Sequence, residues 1–406
     1  MIWMIAQKEL LENFYSLRFR VVALLCISVM TTGNFVLLHD YQKRMEDYFL
    51  NLPKAGEARV VIKPSVLSLY AAGLQKNMGR GYDIRPGTLI MLPSATILNP
   101  NFFSSRFAVP DMAYLVKVFL SLLAVLIAFD AICNEKMQGT FRLLLSNGVP
   151  RTQVVLGKIL GNLITIWMPF TFAFIFGLAL ITLAGKTTIT TEDLARIGFF
   201  YLGSVLYLSI FVLLAVTVSA RTSISSTSLV ICLFLWTILT FGIPNLSSTI
   251  ARASSHLPSA QALEEEKLLT YALKNEWLSA EGKMNKTETH QRIQQIENDY
   301  RNLLDRYVET TRKVSRLSPT SSYLYFASSI CQSGFEDERR LKQYVLRYRD
   351  ALLENPEKVS EIQFTYSPLK LPESLQNVII ELLMLLMFTG FFFAASYTSF
   401  IRYDVR

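Results

Sequence analysis

Residues Ala113–Cys133 read AYLVKVFLSLLAVLIAFDAIC and are apolar over nearly their whole length. The two charged residues of this stretch, Lys117 and Asp130, lie near its opposite ends. A run of about 20 apolar residues is long enough to cross the hydrocarbon core of a bilayer as one α-helix. The stretch therefore predicts a membrane-spanning helix.

Five further apolar runs of this kind lie before and after it. The chain has only 18% charged residues, whereas a typical soluble domain has about 25%. The sequence therefore predicts an all-α integral membrane protein. Its six transmembrane helices are predicted at residues 19–38, 113–133, 158–184, 197–219, 226–244 and 373–401.

Residues 1–18 precede the first run and differ from a signal peptide, because Lys8, Glu9 and Glu12 interrupt the apolar residues early. Apolar residues recur here at helical spacing, at Trp3, Ala6, Leu10, Phe14 and Leu17. This pattern predicts an amphipathic helix that lies in the membrane interface. A cytoplasmic helix that packs on a partner is the alternative.

Lysines and arginines cluster in segments that alternate between the two sides of the membrane. With the N-terminus inside, basic residues outnumber acidic ones at the inner ends of the helices. The basic residues there are Lys8, Arg18, Arg20, Lys136, Arg142, Arg151, Lys158, Arg221, Arg402 and Arg406, and the acidic ones are Glu9, Glu12, Glu135 and Asp404. This bias predicts a protein of the cell inner membrane with both termini in the cytoplasm. The basic excess behind the net charge of +8 would then face anionic membrane lipids and a cytoplasmic partner. Binding to nucleic acid is therefore not needed to explain this charge.

Two long polar segments, 39–112 and 245–372, then lie outside the membrane as extracytoplasmic insertions. The first contains a predicted short strand at Arg59–Lys63. The second is predicted to be a helical hairpin or coiled-coil domain, because its apolar residues step by three and four. These residues are Ile293, Ile296, Tyr300, Leu303 and Tyr307. Such a domain fits a lever that docks an extracytoplasmic partner protein, or a lid over a transport path.

The sequence carries no motif of a catalytic, metal or nucleotide site. Gly185-Lys186-Thr187 resembles the end of a phosphate-binding loop, but Leu180 stands where that loop needs its first glycine. The four cysteines and three histidines are scattered along the chain. We therefore expect no enzyme activity, cofactor or metal in this chain.

Segment 134–157 joins the second and third membrane runs and is predicted to be cytoplasmic. Residues 140–146 could form a short amphipathic helix that ends at Gly148 and Pro150. That helix would present three apolar side chains, Phe141, Leu144 and Leu145. The segment predicts a protruding helical knob, with an ordinary basic loop as the alternative.

This segment resembles the ABC-2 type permeases, whose pattern is close to Glu-x-x-x-Gly-Thr-x-x-x-Leu-Leu-Ser followed by Arg and Gly-Lys. The matching residues are Glu135, Gly139, Thr140, Leu144, Leu145, Ser146, Pro150, Arg151, Gly157 and Lys158. Shorter similarities lie at 64–73 and 318–323. Residues 121–130 are similar to the subgroup of permeases related to multicopper-enzyme maturation.

The resemblance implies that the knob is a coupling helix, which docks into a groove on a cytoplasmic ABC ATPase. The residues it assigns to this contact are Glu135, Gly139, Thr140, Phe141, Arg142, Leu144, Leu145, Pro150 and Arg151. ATP and Mg would bind to the ATPase dimer, and a second permease copy or a paralogue would complete the complex. The implied function is substrate export or mechanical transmission. The alternative is a membrane-anchored assembly or sensor protein that transports nothing.

The acidic residues Glu381 and Asp130 lie inside predicted membrane runs and are candidates for an intramembrane polar site. Glu381 would face a substrate path or pair with a basic residue of the outer domain. Asp130 would cap or pair with the knob through Lys136 or Arg151.

Overall fold

The computed structural model describes residues 1–53, 59–73, 82–84, 91–93, 110–140, 150–183, 189–255, 258, 262–263, 265–266, 269–270, 286–354 and 364–402. The first half contains helices α1 (Ile2–Tyr15), α2 (Leu17–Leu50), α3 (Met112–Gln138), α4 (Arg151–Leu183) and α5 (Thr191–Arg221). The second half contains α6 (Ser225–Thr237), α7 (Ile243–Ser255), α8 (Lys286–Ser315), α9 (Pro319–Ile330), α10 (Phe335–Glu354) and α11 (Leu371–Ile401).

Six helical segments of the described chain are long and apolar enough to cross a membrane. They are α2, α3, α4, α5, the continuous segment Ser225–Ser254 and α11. This confirms the predicted all-α membrane fold. Helix α2 has 34 residues and is therefore about 51 Å long. It extends well beyond a hydrocarbon core of about 30 Å.

A small antiparallel sheet lies in the first insertion. Strand β1 (Arg59–Val60) pairs with β2 (Tyr82–Ile84), which pairs with β3 (Met91–Pro93). Val60 packs with Leu341 and Val345 of α10 in a core separate from the membrane helices. The two insertions therefore share one small hydrophobic core.

Helix α5 forms the centre of the membrane part. Its segment from Tyr207 to Ala220 is buried throughout, as expected for a helix that is apolar on every side. It packs against α3, α9 and α11. Gly203 permits the contact with α9, because a Cβ atom there would lie 2.3 Å from Cε1 of Phe326. The outer helices instead expose apolar side chains, such as Phe234 and Phe391, as lipid contact requires.

Two π-helical turns interrupt the membrane helices, at Val116–Leu120 in α3 and at Ile238–Gly242 between α6 and α7. Such turns release backbone carbonyl groups from regular helix pairing. Here the Lys117 carbonyl accepts a hydrogen bond from the Tyr207 hydroxyl at 3.0 Å. The Leu239 carbonyl accepts one from Ser318. The two irregular turns are thus bonded to hydroxyl groups of different elements, Tyr207 of α5 and Ser318, which caps the start of α9.

Helix α9 is short, rich in hydroxyl residues and almost completely buried between α5 and α11. The Tyr323 ring stacks on Tyr207 with centroids 4.5 Å apart, and its hydroxyl lies 2.9 Å from Ser204 Oγ. Because its polar groups are paired, this helix can be buried despite its composition.

The outer helical hairpin is formed by α7 and α8. Helix α6 continues through its π-helical turn into α7, so the helix passes the end predicted at residue 244. Ile293 and Ile296 of α8 and Ala251 of α7 are buried, and these two helices pack on one another. A two-helix rod therefore extends directly from the fifth membrane helix.

Candidate functional site

The candidate site is the junction where α1, the end of α3 and the start of α4 meet. Segment 141–149, which connects α3 to α4 in the sequence, lies outside the described residues. Helix α1 lies on α4 at Gly157 and Gly161, where Cβ atoms would come within 2.6 Å of Ile5 and Glu9. This spacing of small residues lets two helix backbones approach closely. Asn13 extends the contact, since its amide donates to Thr165 Oγ1 at 3.2 Å.

The α1 surface that packs on α4 differs from the predicted apolar stripe. Of that stripe, Ala6 is buried, whereas Trp3 and Phe14 remain 61% and 49% exposed. The predicted interfacial position of α1 stays a prediction, and these two aromatic side chains are available for lipid contact.

The Lys158 side chain lies at the centre of this junction and is 1% exposed. Its ammonium forms ion pairs with Glu9 of α1 and with Glu135 of α3, the latter at 2.9 Å. It also donates to the Ala131 carbonyl at 3.1 Å. Burial of the Glu9 carboxylate raises its pKa, and the neighbouring Lys158 opposes that shift. We call Glu9, Glu135 and Lys158 the inner triad.

Three carboxylates at this junction lie close enough together to hold a metal ion, but each of them is paired with a lysine. Carboxylate oxygens of Glu9, Glu12 and Glu135 lie within 4.8 Å of one another. Two of these residues already bind the Lys158 ammonium, and Glu12 pairs with Lys8 at 3.2 Å. The lysines thus supply the positive charge that a cation would bring.

The structure describes the two ends of the predicted coupling segment. Gly139 ends the last turn of α3 with φ +72°, a conformation that favours glycine. Thr140 Oγ1 donates to the Glu135 carbonyl at 3.4 Å. After the loop, the Pro150 carbonyl accepts from Gln153 N at 2.9 Å in the first turn of α4. The predicted contact residues Phe141, Arg142, Leu144 and Leu145 lie outside the described residues.

The end of α3 is also attached to the connection between α5 and α6. Ser219 Oγ accepts hydrogen bonds from Ile132 N and Cys133 N, both at 3.0 Å. The Lys136 ammonium donates to the Ala220 and Thr222 carbonyls. The end of α3, from which segment 141–149 continues in the sequence, is thus hydrogen-bonded directly to the central helix α5.

Asp130 and Arg151 lie near this junction in separate contacts. Asp130 pairs with Arg18 of α2, whose guanidinium lies 5.3 Å from the Phe129 ring centroid. Its partner from α2 differs from the Lys136 or Arg151 expected from the sequence. The Arg151 guanidinium donates to the Ile401 carbonyl at the end of α11, at 3.1 Å.

Glu381 lies at the other end of the molecule, where the outer rod meets α11. Its side chain is fully buried, and its Oε1 accepts from Arg312 Nε at 2.8 Å and from Arg316 Nη2 at 2.9 Å. Arg312 also donates to the Asn377 carbonyl at 2.9 Å. Glu381 therefore pairs with basic residues at the base of the outer domain, as one of the two sequence hypotheses stated. We call this group the outer triad.

Sequence reasoning missed three residues that organise these joints. Glu9 and Lys158 carry charges beside apolar runs, and this is the signal that could have marked them as candidates for pairing. Arg196 directly precedes the membrane run predicted at 197–219, but it is fully buried in α5. Its guanidinium donates to the Ile330 carbonyl at 2.8 Å, to Ser374 Oγ at 3.1 Å and to the Leu369 carbonyl at 2.6 Å. No local pattern indicates such a hub.

Comparison with known proteins agrees with this architecture. Residues 3–405 match the family model described as ABC-2 family transporter protein. No curated protein sequence is significantly similar to the chain. The match extends over nearly the whole chain and concerns the family in general, so the subgroup related to multicopper-enzyme maturation stays a prediction.

Proposed function

We propose that this chain, which belongs to the ABC-2 transporter family, couples ATP hydrolysis in a separate cytoplasmic ABC ATPase to work across the membrane. The inner triad is the observation that supports this most. It joins α1, α3 and α4 through a lysine with 1% exposure, directly beside both ends of the loop 141–149. A force on that loop would reach three helices at once.

The contacts around the triad give this force a route into the membrane. The end of α3 is bonded to the end of α5 through Ser219, Ala220 and Thr222. Helix α5 is the most deeply buried membrane helix described. A displacement of the loop would therefore tilt the centre of the bundle rather than a peripheral helix.

The proposal includes partners and an orientation. ATP and Mg bind to the ATPase dimer, and this chain holds neither. Because a dimer presents two docking grooves, we propose a second copy of this chain or a paralogue beside it. The termini and the loop 141–149 then face the cytoplasm, in the inner membrane of the cell.

A docking test uses the two apolar residues that the sequence places at the contact. Phe141→Asp with Leu144→Asp should detach a co-expressed candidate ATPase, because burying unpaired charge costs about 3–5 kcal/mol. Leu317→Asp is the matched control, since Leu317 is 65% exposed beyond the end of α8. Co-purification and ATP hydrolysis in nanodiscs measure the result. Wild-type yield of the ATPase with the double variant would refute docking through this loop.

Mechanical transmission is a second candidate output, and the outer rod supports it. The fifth membrane helix continues without a break into α7, and α8 packs on α7. The base of α8 is held to α11 by the outer triad. Relative motion of the fifth and sixth membrane helices would therefore swing the rod and move a partner outside the membrane.

Replacing the segment that connects α7 to α8 with a flexible linker tests this candidate. A short glycine–serine linker in place of 256–290 keeps the buried Ile293, Ile296 and the outer triad. Mechanical transmission predicts normal ATP hydrolysis with a loss of complementation in a strain that lacks the gene. Ile293→Val, a mild change at the same seam, is the control and should complement. Full complementation by the linker variant would contradict a lever that works through its tip.

A further inference from the structure

A groove of about 1000 Å³ opens at the start of α2, on the side where α1 ends. It forms because the chain bends at Ser16, whose backbone is extended (φ −68°, ψ 140°) and whose Oγ accepts from Phe19 N at 3.1 Å. Phe14 and Phe19 stand on either side of the bend with ring centroids 5.1 Å apart. The walls of the groove are mainly apolar.

One cation stands at the mouth of this groove. Arg18 and Arg20 are near neighbours in sequence, but Arg18 is paired with Asp130. The exposed Arg20 guanidinium donates to the Tyr15 carbonyl at 3.3 Å, and no carboxylate of the described chain pairs with it. Arg20 therefore presents an uncompensated positive charge at the level where the membrane helix begins.

The length of the groove matches one leaflet. Along α2 its lining runs from Arg20 to Thr32, and the 12 residue steps between them rise about 18 Å. Half of a hydrocarbon core of about 30 Å is about 15 Å. A lipid that has its headgroup at Arg20 could thus lay one acyl chain along Ala23, Leu24 and Ile27.

We propose that this groove is a binding site for one anionic phospholipid. The headgroup charge pairs with Arg20, and one acyl chain fills the groove between the end of α1 and α2. Because Phe14 and Tyr15 of α1 line the groove, the bound lipid also supports the seat of α1 on α4. The lipid site requires no ATPase partner, so its test does not depend on whether the proposed function is correct.

A second copy of this chain is the competing occupant, because Ser28, Thr31 and Thr32 line the deep end of the groove and hydroxyls can bond across membrane helices. The charge argues against it. Two copies in one membrane are related by an axis normal to the bilayer, so their Arg20 side chains would meet at the same depth. Like charges so placed repel, whereas an anionic headgroup is attracted.

Native mass spectrometry of the purified protein tests the lipid site, with phosphatidylglycerol and phosphatidylcholine of identical acyl chains as probes. We expect phosphatidylglycerol to bind about fivefold more tightly, which corresponds to about 1 kcal/mol for one basic residue. Arg20→Gln should abolish this preference, and Arg20→Lys should keep it. Equal binding of both lipids, or an unchanged preference in Arg20→Gln, would overturn the proposal.

Two further variants separate the groove from the charge. Ala23→Trp fills the groove and should weaken binding of both lipids, whereas Leu383→Trp, at a 58% exposed position of α11, should not. A cysteine at Thr31 tests the competing occupant by oxidation in membranes. Efficient disulfide cross-linking between copies would assign the groove to a second chain and overturn the lipid site, and absence of the cross-link supports it.

Discussion

Replacing Lys158 by methionine should release α1 from the membrane bundle while leaving the other helices in place. Lys158 is 1% exposed, and it holds Glu9 and Glu135 whose oxygens lie within 4.8 Å of each other. Without the ammonium, these two carboxylates face one another in a buried site. Two like charges at that separation repel by about 3 kcal/mol at an effective dielectric constant of about 20.

Loss of one partner from a buried ion pair costs about 3–5 kcal/mol in other proteins, so the two magnitudes agree. The cost should depend on pH, because the repulsion exists only while both carboxylates are ionised. Burial already raises the pKa of Glu9, and Lys158 opposes that shift. Its removal raises the pKa further. The variant should therefore be most affected at pH 8 and partly restored at pH 5.

Hydrogen–deuterium exchange in nanodiscs measures this release directly. A cost of about 3 kcal/mol corresponds to roughly 100-fold faster exchange of the amides of α1. Lys8→Met is the matched control, because Lys8 is 53% exposed in its pair with Glu12 and such pairs contribute about 0–1 kcal/mol. Glu9→Gln added to Lys158→Met should recover part of the loss. If exchange of α1 in Lys158→Met at pH 8 stays within about threefold of wild type, the triad does not hold α1.

Three other predictions concern the outer joint, the outer domain and the topology. Glu381→Gln leaves two arginines without their carboxylate and should lower stability by about 3 kcal/mol, seen as a lower thermal midpoint in detergent; an unchanged midpoint would contradict the joint. Burial raises the pKa of Asp337 to about 7, with Arg196 opposing and Glu336 adding to the shift. Because the folded state holds this proton more tightly than the unfolded state, stability should fall as pH rises from about 4 to about 7. In the Asp337→Asn variant, stability should no longer fall with pH in this range because of this group. A pH profile of stability identical to that of the wild type would exclude a contribution from Asp337. Cysteines at Lys76 and Lys283 should react with a membrane-impermeant thiol reagent in intact cells and one at Asn147 should not, and labelling at Asn147 alone would invert the orientation.

The membrane helices could be predicted because each signal is local. An apolar run such as that around Leu213 determines a buried or lipid-facing helix whatever its neighbours are. The seam containing Ile293 and Ile296 was recognisable for the same reason, since helical spacing places both on one face. For Glu381 the sequence left two possible environments, a substrate path or a basic partner, because a carboxylate in a membrane helix needs a partner or water.

The joints could not be predicted because they join residues that are distant in sequence. Glu9 and Lys158 lie 149 positions apart, and either charge alone fits a helix end in the membrane interface. Helix α9 was missed for a different reason. Its serine, threonine and tyrosine residues read as a polar segment, and only the tertiary contacts of Tyr323 with Ser204 and Tyr207 allow its burial.

Helix α5 is held at both ends by hydrogen bonds to neighbouring helices, which we call its two clamps. These bonds determine which helices would move together with α5. At its start, the buried Arg196 guanidinium holds the end of α9 and the start of α11 through the Ile330 and Leu369 carbonyls. At its end, the Ala220 carbonyl accepts from Lys136 of α3, and the Arg221 guanidinium donates to Ser399 of α11 at 2.9 Å.

A helix bonded in this way cannot slide past α11 without breaking charged hydrogen bonds at both ends, each of which contributes about 1.5–3 kcal/mol. It can tilt together with α11, because both clamps then move as one body. The lower-cost motion is therefore a common tilt of α5 and α11 against α6, which is held instead to α3. Ser228 Oγ of α6 donates to the Phe129 carbonyl at 2.6 Å, and Trp236 Nε1 donates to Ser121 Oγ at 2.9 Å. Since the outer triad joins the base of α8 to α11 while α7 continues from α6, that relative motion is concentrated in the outer rod.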